Sequence, residues 1–365
     1  VHRAILERDG SGYCVRRAPG EEQAEFLTSS DRWCRPINLQ LGPDGSMYVI
    51  DFYREIIEDY SAIPRYLQQQ YGLIAGSNHG RIWRVVRDST ERRSPDLANA
   101  TADELVPLLD DSNAWWRETA QRLLVESSDR AAVEAIERLC RTAKSGAGRL
   151  HALYTLSQLH ALDPKVVLEA LEDLHPGVRR HALRLAEPYL EAKTSVLNAV
   201  LLMTDDHDSQ VRLQLALSLG ESRDPRALVA LADLAQRHGR ERWMSEAILT
   251  SVSDRSQLLS AELLTREKAV QFQSLLTRLA SIVGARRDSD EINRFLNMVV
   301  SVSGDNAEQQ QTILLKALSD GLGDGRRKLA QLTSGREALQ RLLQLKNVDG
   351  MRFAFAVARQ LGEEV

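Results

Sequence analysis

Cysteine is scarce in this chain. Its three copies, Cys14, Cys34 and Cys140, form no Cys-x-x-Cys, no haem-attachment motif and no zinc spacing. Cys14 and Cys34 share one region and could meet, but two separate half-buried thiols are the commoner arrangement. No long apolar run exists: stretches such as Ala199-Val200-Leu201-Leu202-Met203 are too short to span a bilayer. A cationic excess is also missing. The net charge of −4 and pI near 6.1 argue against a nucleic-acid partner. The opening residues have neither Met nor the basic-then-apolar order of a signal peptide. They begin mid-pattern in strand-like sequence, so the chain is expected to be a fragment of a longer protein.

Proline stops at Pro225, and Leu, Ala, Arg and Glu dominate the remainder of the chain. Just over half of the aromatic residues lie in the first 95 positions. The chemistry therefore changes near residue 95, from strand and turn to helix. Val1–Arg8 and Gly12–Arg17 read as strands joined by Asp9-Gly10-Ser11. Ile37–Leu41 and Ser46–Ile50 flank the turn Gly42-Pro43-Asp44-Gly45, and Arg81–Val86 is a further strand. Arg54–Tyr71 reads as a partly helical excursion with Pro64 at a helix boundary.

From Ala102 a repeat appears. Arg117, Arg149, Arg179, Arg212 and Arg242 recur at intervals of 32, 30, 33 and 30. Asp111, Asp173 and Asp206 precede their arginines by six, and Ala120, Ala152, Ala182 or Ala216 comes after. The pattern resembles the HEAT repeat: a first helix such as Asp103–Leu109, a turn with the Asp, then a second helix opening near the Arg. Apolar spacing of three and four makes one helix face sticky, so neighbouring hairpins must stack. The Asp is expected to cap the second helix or to bond the next repeat's Arg, forming a ladder. The second and fifth units lack that Asp. Beyond Thr250 the repeat blurs, with helices expected over Glu262–Val283, Ser289–Val302, Glu308–Leu318, Arg326–Leu345 and Met351–Leu361.

The fold expected is mainly α: a HEAT-like α-solenoid preceded by a partial β-propeller, its last blade and a half. Three regions are expected: 1–95 as propeller end, 96–253 as HEAT-like repeats, and 254–365 as degenerate repeats of the same solenoid.

Several words in the first region, Val1-His2-Arg3, Arg35-Pro36-Ile37-Asn38-Leu39, Gly42-Pro43-Asp44-Gly45, Tyr48-Val49-Ile50-Asp51, Tyr53-Arg54-Glu55 with Ile57-Glu58, Ile63-Pro64 and Gly80-Arg81-Ile82, carry a resemblance. They resemble the PVC-type haem-binding proteins, or putative membrane-bound dehydrogenases. Those combine a propeller similar to glucose and sorbosone dehydrogenases with a HEAT-like region and a cytochrome c module. The resemblance implies an extracytoplasmic parent (periplasmic or cell-envelope) that oxidises a sugar or alcohol, with pyrroloquinoline quinone and haem c as its cofactors. Two departures stand out. Asp59-Tyr60 replace the His-Pro usual after the Glu at Glu58, and no Cys-x-x-Cys-His is present.

Asp51, Tyr53, Arg54 and Glu55 are the sharpest candidates for chemistry. In an extended strand Asp51, Tyr53 and Glu55 share a face and Arg54 points away. They would suit a metal or general-base site at a channel mouth. The plainer alternative is an Arg54–carboxylate bridge pinning the excursion to the blade. Asp44 and Asp51 are weak candidates for metal, and the Asp44 turn reads as geometric. His2 beside Arg3 gains a channel role only from the resemblance, and is otherwise an exposed strand-start histidine. His151, His160, His175, His181, His207 and His238 are scattered over separate units and read as surface or capping residues. Trp115, Trp116 and Trp243 read as core. No phosphate loop or nucleophile elbow is present. For this segment the expected function is a non-catalytic scaffold without a cofactor of its own. Its partner would be a protein or a neighbouring domain, and the alternative is one part of a quinone-dependent oxidoreductase.

Overall fold

The computed structural model describes residues 1–57, 60–70, 75–87, 96–266, 269–304, 306–323 and 332–363. The chain divides into two units: Val1–Asp9 with Tyr13–Val166, and Gly10–Gly12 with Val167–Val365.

β1 (Ala4–Asp9) and β2 (Gly12–Arg17) make a two-stranded sheet. β1 starts at Ala4 rather than Val1, and Gly10 supplies the positive φ of 58° that the tight turn requires. β3 (Pro36–Leu41), β4 (Met47–Asp51) and β5 (Arg81–Val85) form an antiparallel sheet in that order. Leu39 faces Val49, which faces Trp83; Asp51 faces both Pro36 and Arg81. A bulge lies between Pro36 and Asn38. Among the described residues these two small sheets are all the strand structure, and the propeller end expected for this region is not shown by them. The excursion after β4 is partly helical: a 3₁₀ turn at Tyr60–Ala62 precedes α1 (Arg65–Gln70), which starts just after Pro64. Glu58, Asp59 and Tyr71 lie outside the described residues.

Helix takes over at α2 (Ala102–Leu105), opened by a capping box between Thr101 and Glu104. Pro107 lacks an N–H, and the chain tightens there into a 3₁₀ segment, Val106–Asp110. Then come α3 (Ala114–Ser127), α4 (Val133–Thr142) and α5 (Gly146–Gln158). α5 packs against both α3 and α4. Leu109, Ala120, Leu124, Ile136, Leu153 and Leu156 fill the space between them and are fully buried or nearly so. The sheet is tied to α3 through backbone. The Trp116 indole N–H donates to Pro43 O at 2.8 Å, and Asn113 Nδ2 donates to Gly42 O at 2.9 Å and Pro43 O at 3.2 Å. Trp115 packs edge-on against Trp116.

α6 (Pro164–Leu171) contains the division between units. The second unit continues with α7 (Pro176–Ala186), α8 (Thr194–Leu201), α9 (Ser209–Ser218), α10 (Pro225–His238) and α11 (Met244–Ser251). After these come α12 (Ser256–Leu264), α13 (Gln273–Arg286), α14 (Ser289–Ser301), α15 (Ala307–Leu322), α16 (Ser334–Leu342) and α17 (Val348–Leu361). Two layers result. α7, α9, α11, α13, α15 and α17 pack each on the next, and so do α8, α10, α12, α14 and α16. This is the arrangement that alternating helical hairpins adopt when each buries its neighbour's apolar face. The helix expected over Glu262–Val283 is two, α12 and α13, and residues 326–331 of the one expected over Arg326–Leu345 lie outside the described set. Among the described residues no helix is long and apolar enough to cross a membrane.

α13 and α15 meet at two glycines. A Cβ on Gly321 would lie 2.1 Å from Ser281 O, and one on Gly284 would lie 2.4 Å from Leu318 O. The helices therefore touch backbone to backbone, a contact no side chain permits. Gly321→Ala is expected to destabilise the fold by about 1–3 kcal/mol, the usual cost of overpacking. Urea unfolding followed by far-UV circular dichroism measures it, and an unchanged midpoint would contradict the close approach.

Candidate functional site

The Asp51 carboxylate is buried and fully occupied. Oδ1 accepts the backbone N–H of Arg35 at 2.7 Å and of Tyr53 at 3.1 Å. Oδ2 accepts Arg81 Nε and the Trp83 indole N–H, both at 3.1 Å. Burial pushes its pKa up, but hydrogen bonds from Arg35, Trp83, Arg81 and the Cys34 thiol outweigh that and hold it at about 2, below the ordinary 3.8. A carboxylate with two donors on each oxygen and so low a pKa is a poor proton acceptor at neutral pH.

Arg81 is the second half of this node. Its other arm reaches Asp31 Oδ2 at 3.1 Å, and its guanidinium lies 4.2 Å from the Tyr53 ring centroid and 4.9 Å from that of Trp83. Trp33 and His79 flank Tyr53. Cys34, beside Asp51, has its thiol pKa raised by burial first and then by that carboxylate, and Cys14 and Cys34 are both free thiols.

The expected alternation along Asp51, Tyr53 and Glu55 fails because β4 ends at Asp51 and Tyr53 turns left-handed, at φ 50°. Arg54 makes no part of the bridge foreseen for it. Its guanidinium lies over Phe52 and donates to the carbonyls of Phe52 and Tyr53. Arg81 takes that role instead. Glu55 contributes backbone: its N–H bonds Ala75 O, and its carbonyl accepts Arg35 at 2.9 Å. Asp44 accepts the Ser46 N–H at 3.0 Å and pairs with Arg84. His2 lies at the exposed surface beside Glu25. Sequence reasoning missed Arg81, Trp83 and Asp31. The available signal was antiparallel pairing, which sets the end of β4 opposite the start of β5.

The ladder residues share one recurring turn. Asp111, Asp173 and Asp206 each accept, through Oδ1, the N–H two residues on, at 2.8, 2.7 and 2.9 Å. That next residue caps the second helix: Asn113, His175 and Asp208. Each arginine then reaches back to the carbonyl six residues before it. Arg117 donates to Asp111 O at 2.7 Å, Arg149 to Ala143 O at 2.9 Å, Arg179 to Asp173 O at 2.8 Å and Arg212 to Asp206 O. The second unit, without the Asp, borrows Asp110, which accepts from Lys144 N and Ser145 N. In the fifth unit the position belongs to Ser245, whose hydroxyl donates to Gly239 O at 3.2 Å. Arg242 is therefore out of register. Trp243 is half exposed and left-handed at φ 67°, not core.

Between units the direction is the reverse of that expected. Arg179 grips the Asp206 of the following unit with two bonds, at 2.7 and 2.8 Å, and Arg212 pairs with Glu241. Among the histidines, His175 caps α7, His238 pairs with Glu241, and burial lowers the pKa of His151 and His181. No group of three or more His, Cys, Asp or Glu suited to a metal occurs among the described residues.

Two family models match parts of the chain. A domain of unknown function, DUF7133, matches residues 1–89, and HEAT repeats match residues 164–249. No curated protein matches significantly. Similar solved structures include an engineered protein, at 13% identity over 72% of this chain and 79% of its own, with a TM-score of 0.32. Another is the complex of CpcE and CpcF of phycocyanin lyase from Nostoc sp. PCC7120, at 16% identity, 76% and 99% coverage, and a TM-score of 0.33.

Asp51→Asn is expected to cost about 2–3 kcal/mol, since it removes the charge from a buried bonded group. Tryptophan emission during urea unfolding reports it. Because the folded carboxyl titrates below its unfolded value, its contribution is complete above about pH 4 and is withdrawn as the pH falls towards about 2. The Asn variant should lose correspondingly less stability over that interval. Arg179→Ala is expected to cost about 1–3 kcal/mol, the loss of a charged hydrogen bond, and an unchanged melting temperature would count against the grip on Asp206.

Proposed function

We propose that this chain is a non-catalytic HEAT-repeat scaffold, the interaction region of a larger extracytoplasmic propeller protein. The observation that carries the reading is the recurring turn. An arginine and a capping residue at fixed spacing are spent on holding helix pairs in register. Such an array offers a long surface to a protein partner or to neighbouring domains of its own polypeptide. The full occupancy of Asp51 supports the same reading, because it removes the best candidate for a general base.

The competing reading keeps the sugar or alcohol dehydrogenase chemistry of the resembled family, with the channel completed by further strands and electrons passed to a haem module. Quinone-dependent dye reduction separates the two. The purified 365-residue chain, supplied with pyrroloquinoline quinone and a panel of sugars and alcohols, is expected to reduce no dye and to give no haem stain. Turnover by this chain would overturn the scaffold reading.

A further inference from the structure

The layer of α7, α9, α11, α13, α15 and α17 is packed unevenly. α13 lies on α15 backbone to backbone at Gly284 and Gly321, yet it meets α11 only sparsely. Two grooves result, one on each side of the first half of α13. α9 packs on α11 and α17 on α15, so neither groove is made by an end of the chain.

The groove between α13 and α15 holds about 470 Å³ up to its mouth, within the range of a ligand pocket. Leu276, Ile313 and Leu314 make its apolar floor. Its polar rim is Gln273, Asn306, Gln309 and Gln310, all carboxamides. Among the described residues none of these four side-chain amides is bonded within the protein. Their neighbours are bonded elsewhere. Gln311 is buried and donates to Val299 O at 3.1 Å, and Glu308 accepts the Asn347 N–H at 3.2 Å.

The groove between α11 and α13 is wider, about 860 Å³, with Leu249 and Ile282 as its apolar part. The hydroxyls of Thr250, Thr277 and Ser281 donate to the carbonyls of Glu246, Gln273 and Ala317, at 2.9, 2.8 and 3.1 Å. They therefore offer the groove oxygen lone pairs. The two charged residues of its lining, Glu246 and Arg278, bond each other at 2.9 Å and cancel. Gln273 and Thr277 lie one turn apart on α13, so the grooves adjoin across that helix. Packed helices lie about 8–10 Å apart, a distance an extended chain covers in about three residues.

Charge and hydrogen bonding together select the occupant. Neither groove carries a net charge in its lining, so neither attracts a phosphate, a nucleic acid or an ionic headgroup. A carboxamide presents a donor and an acceptor side by side, as a peptide group does along an extended backbone. An apolar floor under such a rim suits one aliphatic or aromatic side chain.

We propose that the two grooves beside α13 form one channel for an extended, uncharged segment of a partner protein. An apolar side chain of that segment sits on Leu276, Ile313 and Leu314, and its peptide groups bond Gln273, Gln309 and Gln310. The proposal rests on the scaffold reading and gives that scaffold a site and a kind of partner.

Phage display of random peptides of about twelve residues, long enough to cross both grooves, tests it on the full chain. Selected peptides are expected to share one Leu, Ile, Met or Phe among uncharged residues. By fluorescence anisotropy they should bind with a Kd of about 1–100 µM, little changed between about 0.05 and 0.5 M salt. Ile313→Glu, at a partly exposed position of the floor, should weaken binding by about tenfold or more, and Gln310→Ala by about threefold. Leu258→Glu, exposed on α12 in the other layer, should leave binding unchanged. Circular dichroism checks that each variant is folded. A selection without binders overturns the proposal, as do binders that Ile313→Glu and Gln310→Ala leave unmoved. Charged binders whose affinity falls steeply with salt overturn it too. Each of these results leaves the scaffold reading standing, with a folded partner surface or a second copy as the occupant. Turnover in the dye assay overturns the scaffold reading instead.

Discussion

A pair of helices about thirty residues long cannot hide its own apolar stripe, and most of this chain is organised around that shortage. In the second unit α7 to α17 solve it by alternating between two layers, so that each helix is covered by the one two places on. Small residues make the spacing possible. Ala182 and Ala216 are fully buried behind their arginines, and Gly284 with Gly321 removes the side chain altogether where α13 meets α15. Polar residues then fix what apolar burial leaves loose. Burial has no direction of its own, whereas an arginine bonded to a carbonyl six residues back admits one rotation of the helix start.

The periodic part of this was legible in the sequence, because it recurs. Arg117, Arg149, Arg179 and Arg212 mark the same turn in four units, and the alanines after them mark the buried side. The fifth unit shows the limit of matching one residue type. Arg242 lies at a plausible interval, but Gly239, with its carbonyl aimed at Ser245, sets the register. The direction of the bridges was beyond spacing as well. An Asp between two arginines reads the same either way, and only packing shows that Asp206 answers Arg179.

The strand region was legible in its turns and less so in its node. Asp51 stood out, but its charged partner lies thirty residues on, across the β4–β5 pairing. Tyr53 broke the alternation through a left-handed backbone, in which Gly76 takes part: a Cβ there would lie 2.8 Å from the Tyr53 carbonyl. Neither fact is visible in a count of alternating residues. The outcome turns a cluster that reads as chemistry into one that fastens three strand ends.

Trp116 and Asn113 hold the sheet by the carbonyls of Gly42 and Pro43, not by their side chains. Such an attachment is blind to residue identity and sensitive to chain path. Exchange of one amino acid for another in that hairpin would be forgiven as long as the backbone course survived. A single inserted or deleted residue would not, since it would carry both acceptors out of reach. Loop length, more than composition, is what lineages sharing this joint would have to keep.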